Sequence, residues 1–149
     1  MAKLKVMFLC TGNSCRSQMA EGWARALKGE VIEAYSAGIT PHGMNGRAVA
    51  VMREAGVDLA SHRSKHADEL RDVKFDYVVT VCGHADATCP GWLREGTVVH
   101  RGFDDPPAIA RALGEGASEE AILAPYRRVR DEIRAWVETL PKSLHGGGK

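Results

Sequence analysis

This chain predicts an α/β domain, a three-layer sandwich with a four-stranded parallel sheet. Strand-like runs alternate with helical patterns, the strand runs are continuously apolar, and 149 residues are enough for one core but short of two. Lys3 to Leu9 reads as the first strand. In "SQMAEGWARAL", residues 17 to 27, Met19, Trp23, Ala26 and Leu27 recur at helical spacing, so the chain opens as a βα unit. Val31 to Ala37 is the second strand, closed by Gly38, and Asn45 to Gly56 a helix stopped by that glycine. Phe75 to Val81 is the third strand and Thr97 to His100 a short fourth. Ser118 before Glu119 and Glu120 opens a further helical segment, which Pro125 is expected to break or restart. From Tyr126 the spacing of Val129, Ile133, Trp136, Val137 and Leu140 gives one apolar stripe.

Composition narrows the function. Apolar residues at 44%, charged ones at 26%, and twenty basic against nineteen acidic side chains give no footing for a nucleic-acid or membrane partner. The apolar run near the N-terminus is too short for a signal segment, so a cytoplasmic location is expected. In such a reducing compartment four cysteines point to catalysis, redox exchange or metal binding rather than structural disulfides. The expected organisation is a single catalytic domain over residues 1–141, a mobile tail over 142–149, and a monomer.

In parallel α/β sheets ligands sit at the carboxyl ends of the strands. Cys10, Cys82 and the residues after His100 all follow strand ends, so three segments should meet in one cleft. The loop "CTGNSCRS", residues 10 to 17, leads from the first strand into a helix start, where backbone N–H groups lack helical partners and the dipole favours an anion. Thr11, Gly12, Asn13, Ser14, Cys15, Arg16 and Ser17 are therefore the candidate oxyanion-binding residues. Gly12 and Asn13 suit the left-handed backbone such a nest requires, and the planar fork of Arg16 can hold two oxygens of a tetrahedral anion. Cys10 beneath that anion should favour the thiolate, with Ser17 either donating to its sulfur or capping the helix. Cys15 is expected to lie packed beneath the loop without chemistry of its own. "GNSCRS" lacks the Gly-Lys-Ser/Thr ending of ATP-binding phosphate loops.

"CTGNSCRS" after a strand resembles the Cys-x5-Arg-Ser signature loop of the low-molecular-weight protein tyrosine phosphatase superfamily, and "FDDPP" at 103 to 107 resembles its Asp-Pro motif. The resemblance implies that Cys10 is the nucleophile, Arg16 the oxyanion clamp and Asp105, before Pro106, the general acid and base, with Asp104 a solvated or loop-stabilising neighbour. Pro107, Ala108 and Ile109 stand where those phosphatases place aromatic walls. "VCGHADATC", with "SKHADEL" and "KFDYVVTVC", is similar to the thioredoxin-coupled arsenate reductases that share this fold, a match reaching about Pro141. That likeness implies arsenate as substrate, Cys82 and Cys89 as a redox pair, thioredoxin or glutaredoxin as reductant, and no cofactor. Arsenate joined to Cys10 would be reduced when Cys82 attacks the Cys10 sulfur, and Cys89 would then take over the disulfide. Those reductases often bind potassium beside the loop; Asn13, Glu21 and Ser36 match three of its ligands. Lys65 stands near the fourth, where its ammonium is expected to replace the ion by pairing with Glu21.

Three other readings compete: a phosphotyrosine phosphatase, a zinc domain, and an oxyanion-binding module without turnover. Zinc sites usually pair ligands two to four residues apart, and Cys82 to Cys89 is wider; no metal is expected. An idle module has no use for Asp105 and two further thiols. His42 and His84 read as solvated loop residues, and Met44, Met52 and Trp136 as core.

Overall fold

The computed structural model describes residues 2–145, with β1 (Leu4–Cys10), β2 (Ile32–Gly38), β3 (Tyr77–Thr80) and β4 (Thr97–His100) in one sheet. All pairs are parallel and the order is β2-β1-β3-β4, so all four carboxyl ends share one edge. The helices among the described residues are α1 (Arg16–Lys28), α2 (Gly46–Glu54), α3 (Gly83–Thr88), α4 (Pro106–Ala112), α5 (Glu119–Val137) and α6 (Lys142–His145). Single 3-10 turns at Ala67–Leu70 and Gly91–Glu95 precede β3 and β4.

Val6, Met7, Phe8 and Leu9 are all fully buried. Because successive strand side chains point to opposite faces, β1 is covered on both. On the Phe8 face the Phe8 ring meets Trp136 of α5 edge-on at 6.2 Å, and Ser36, in register with Phe8, donates to Glu21 of α1. On the Leu9 face Thr80, in register with Leu9, donates to Asp86 of α3. Three layers result, as the apolar strand runs predict. Trp23 Nε1 donates to the Arg130 carbonyl, and Arg130 in turn donates to that of Val51, which locks α1, α5 and α2 together.

Several boundaries differ from the sequence reading. Pro125 neither breaks nor restarts α5, which runs unbroken through it. An internal proline costs roughly 3 kcal/mol. Burying Tyr126, Val129, Ile133 and Val137 on one face, at about 1.5–3 kcal/mol for a large apolar side chain, outweighs that cost. The third strand begins at Tyr77, not Phe75, whose ring packs edge-on against Tyr35. The expected mobile tail is corrected at its start: residues 142–145 form α6, with Leu144 in the core and His145 hydrogen-bonded to Tyr77. Residues 146–149 lie outside the described residues. α4, which the sequence reading did not anticipate, starts with Pro106 at its first position, where a missing N–H costs nothing.

Candidate active site

Loop 10–17 does become an anion cradle, by a division of labour between its carbonyls and its amides. Every carbonyl from Cys10 to Cys15 is taken: those of Cys10, Thr11, Gly12 and Ser14 accept from the N–H groups of Ile39, Thr40, His42 and Asn45, that of Asn13 from Gln18, and that of Cys15 from Met19. The segment 39–45 thus lies along the loop like an added strand. No hydrogen bond joins the N–H groups of Gly12, Asn13, Ser14 and Cys15 to an acceptor among the described residues. Four amides left over at the start of α1 are what a tetrahedral oxyanion needs.

The left-handed residue of the loop is Asn13, at φ 47°, as its type allows. Gly12 does not share that conformation. Its lack of a side chain serves a close approach instead, since a Cβ there would sit 2.5 Å from His42 Nδ1. Asn13 is fully buried behind the loop, donating to Ser17 Oγ at 2.9 Å and Ser36 Oγ at 3.0 Å while its own oxygen accepts from Gln18 and the Lys65 N–H. Ser17 therefore neither caps α1 nor reaches Cys10; it props Asn13 from below. Buried Gln18, whose amide also donates to the Arg63 carbonyl, was invisible in the sequence because it reads as one polar residue on a helix.

The cradle opens into a cleft of 750 Å³ that holds Cys10, Cys15, Arg16, Cys82 and Asp105. Arg16 donates to the Phe103 carbonyl at 3.0 Å, which aims its guanidinium across the loop, and lies 3.9 Å from the Asp105 carboxylate. Asp105 is the N-cap residue of α4, yet its side chain makes no cap hydrogen bond and so stays available to the cleft. Asp104 instead pairs with Arg128 at 3.1 Å, the loop-stabilising role expected of it. His42, Met44, His84, Pro107 and Arg111 line the cleft as well, and no phenylalanine, tyrosine or tryptophan does. Met44, read as core, is a wall residue that also touches the core.

All four cysteines are free thiols and buried. Cys10 and Cys82 behave as one titrating pair. A hydrogen bond from Cys10 is the first cause that draws Cys82 down, to about 4, with the Thr11 hydroxyl, the Ala85 amide and Arg16 helping against burial. The Thr11 and Ala85 contacts to the Cys82 sulfur are both 3.4 Å. The same bond to Cys82, then burial, pushes Cys10 well above an ordinary thiol, opposed by Arg16 and the Thr11 amide. Against the expectation of a Cys10 thiolate, the shared bond favours the charge on Cys82, whose sulfur also accepts from the Thr11 hydroxyl and the Ala85 amide. Burial lifts Cys15 to about 12 and raises Cys89, so both stay protonated. Cys89 closes the far end of α3 and is absent from the cleft wall.

Cys82→Ser should lower the pH at which Cys10 is alkylated, since the neighbour that holds its proton is gone while Arg16 and the Thr11 amide remain. Peptide-resolved iodoacetamide labelling across pH reads this; an unmoved or raised midpoint for Cys10 contradicts the shared proton.

Lys65 does not pair with Glu21. Its Nζ donates to the Arg63 carbonyl at 3.1 Å, while Glu21 is held by Arg25 at 2.7 Å and by Ser36 at 2.6 Å. Lys65 shares a small cavity with both, and burial depresses its ammonium against the pull of Glu21. With Arg25 already on the carboxylate, these residues do not fit a potassium ion, for a reason other than the one expected. Potassium should then raise the melting temperature no more than equal sodium does, and a potassium-specific rise would contradict this.

A parallel sheet in this order, with such a loop after its first strand, is the class of the phosphatase-type cysteine enzymes. The sequence profile of the family "Low molecular weight phosphotyrosine protein phosphatase" matches residues 5–147, and the chain belongs to that family. It is 47% identical over 143 residues to an arsenate reductase of Halalkalibacterium halodurans, covering 96% of this chain and 99% of that one. A solved arsenate reductase in its reduced state superposes with a TM-score of 0.72 at 32% identity, over 92% of this chain and 95% of the other. A tyrosine phosphatase of Erwinia amylovora, at 19% identity and a TM-score of 0.69 over 99% and 95% of the two chains, shares the fold.

Proposed function

We propose that this protein reduces arsenate to arsenite through a covalent Cys10 adduct and a Cys10, Cys82, Cys89 relay reset by thioredoxin. The observation that carries it is a second thiol, Cys82, in the same cleft as the nucleophile at the floor of an oxyanion cradle, with a third, Cys89, at the other end of α3. A phosphatase has no need of one. The relatives named arsenate reductase over nearly the whole chain support the choice of oxyanion.

Arsenate binds with its oxygens on the free amides of residues 12–15 and the Arg16 fork. Cys10 attacks arsenic and hands its proton to Cys82, Asp105 protonates the departing oxygen, and water leaves a Cys10–As(V) bond. Cys82 gives that proton to the Asp105 carboxylate left by the first step, which shares the cleft, and as a thiolate favoured by the Ala85 amide and the Thr11 hydroxyl attacks the Cys10 sulfur. The S–As electron pair stays on arsenic, arsenite departs, and a Cys10–Cys82 disulfide remains. Cys89 then attacks Cys82, which frees Cys10 and moves the disulfide outward, where a dithiol of the thioredoxin type supplies the two electrons that restore it. Such a cycle suits a reducing compartment, hence the cytoplasm, and needs only one chain.

Cys10, Arg16 and Asp105 also suffice for slow hydrolysis of a small aryl phosphate. With no phenylalanine, tyrosine or tryptophan among the described residues of the cleft wall, a phosphotyrosine side chain lacks broad apolar walls, so this is a side activity. Arsenate-dependent NADPH oxidation with thioredoxin and its reductase tests the assignment. Sustained oxidation supports it; none, alongside brisk phosphotyrosine hydrolysis, would make the protein a phosphatase.

A further inference from the structure

We propose that Thr80, His100 and Asp86 form a clasp that holds α3 folded, and so set how readily Cys82 and Cys89 join. The inference rests on the relay reading above and concerns its last internal step. Cys82 and Cys89 are the two caps of α3. Seven residues at 1.5 Å each keep their Cα atoms roughly 10 Å apart in a helix. A disulfide tolerates about 7 Å at most, so α3 must come undone before the bond can close.

Little in α3 itself resists that. It has six residues, begins with Gly83, and buries only Ala85. Among the described residues, the side chain within Gly83–Thr88 that hydrogen-bonds to the sheet is that of Asp86. Thr80 Oγ1, fully buried on the Leu9 face of β3, lies 3.1 Å from Asp86 Oδ1 and 2.8 Å from His100 Nδ1 on β4. A carboxylate only accepts, so the single hydroxyl proton points to Asp86 and His100 must donate through Nδ1. The chain of bonds is ordered His100 to Thr80 to Asp86, and the His100 nitrogen lies 4.0 Å from the same carboxylate oxygen. It fastens a marginal helix to β3 and β4.

Once α3 unwinds, Asp86 leaves and the clasp is lost, so these bonds stabilise the dithiol and not the disulfide. They are positioning residues: they touch neither arsenate nor a thiol. Removing them should favour the Cys82–Cys89 bond and make it harder for a reductant to reopen.

The test is a titration of the full chain carrying Cys10→Ser and Cys15→Ser against glutathione and its disulfide. Cys82 and Cys89 there yield two electrons and two protons to one glutathione disulfide, which leaves as two thiols. The oxidised fraction is read by alkylation and mass spectrometry. A change in stability shared by both redox states cancels from this equilibrium. Thr80→Val keeps the shape and deletes both bonds, and should raise the oxidation constant about tenfold. Asp86→Ala, on the exposed side of the clasp, should move it the same way, and Thr80→Ser should return it to the starting value. An unchanged or lowered constant in Thr80→Val and Asp86→Ala overturns the clasp alone. Failure to form any Cys82–Cys89 disulfide with Thr80 and Asp86 intact overturns the relay and the clasp together.

Discussion

Cys10→Ser is expected to abolish arsenate reduction and aryl-phosphate hydrolysis together, each by ~10⁴-fold or more, as loss of a covalent nucleophile does. Both reactions begin with the same sulfur, at the end of β1 beneath the loop amides. A hydroxyl there is far less acidic than a thiol and has no base beside it except Cys82. The fold should tolerate the change, because Cys10 is a small residue whose neighbours are fixed by the β1–β2 register and by the hydrogen bonds of segment 39–45. A melting temperature close to that of the parent, with both activities gone, separates chemistry from stability. Steady-state assays of the two reactions on the same preparation check it, and arsenate reduction above a trace would remove Cys10 from its role.

Cys82→Ser and Cys89→Ser are expected to split the two activities. Hydrolysis needs only Cys10, Arg16 and Asp105, so it survives in both, and in Cys82→Ser it should extend to lower pH as the Cys10 proton is released more easily. Reduction does not survive, and it fails at different points. Cys82→Ser stalls at the arsenic adduct and yields no arsenite. Cys89→Ser yields one arsenite per chain and stops, because its Cys10–Cys82 disulfide lies in the cleft with no internal thiol to move it outward. Counting arsenite per chain in the presence of thioredoxin distinguishes the three. Cycling of both variants at the parent rate would mean that an external thiol resolves the adduct.

The strands and the loop were legible because their signals are local. A continuous apolar run names a strand buried on both faces, and a short loop of small residues between strand and helix names an anion site. Cys10 and Arg16 follow from that, Asp105 was implied by the resemblance of "FDDPP" to the Asp-Pro motif, and the three meet in one cleft because parallel strands share a carboxyl edge. What was not legible depends on partners far along the chain. Gly12 answers to His42, Ser17 to Asn13, and Glu21 to Arg25 rather than to Lys65, none of which spacing reveals. Pro125 was misread because helix rules weigh one missing hydrogen bond and cannot see the core face that α5 buries. The downward pull on the Cys82 thiol is illegible for the same reason: only the folded chain shows that the Ala85 amide and the Thr11 hydroxyl converge on that sulfur.

The central claim, an oxyanion cradle coupled to a three-thiol relay, is tested most directly by a single turnover without reductant. The reduced chain is mixed with excess arsenate, quenched in acid after varied delays, and analysed for arsenite and for disulfide-linked peptides. The account predicts one arsenite per chain, a Cys10–Cys82 linkage that rises and falls, and a Cys82–Cys89 linkage that accumulates with Cys15 still a thiol. Arsenite formed with no Cys82–Cys89 linkage, or with Cys15 in the disulfide, would contradict it.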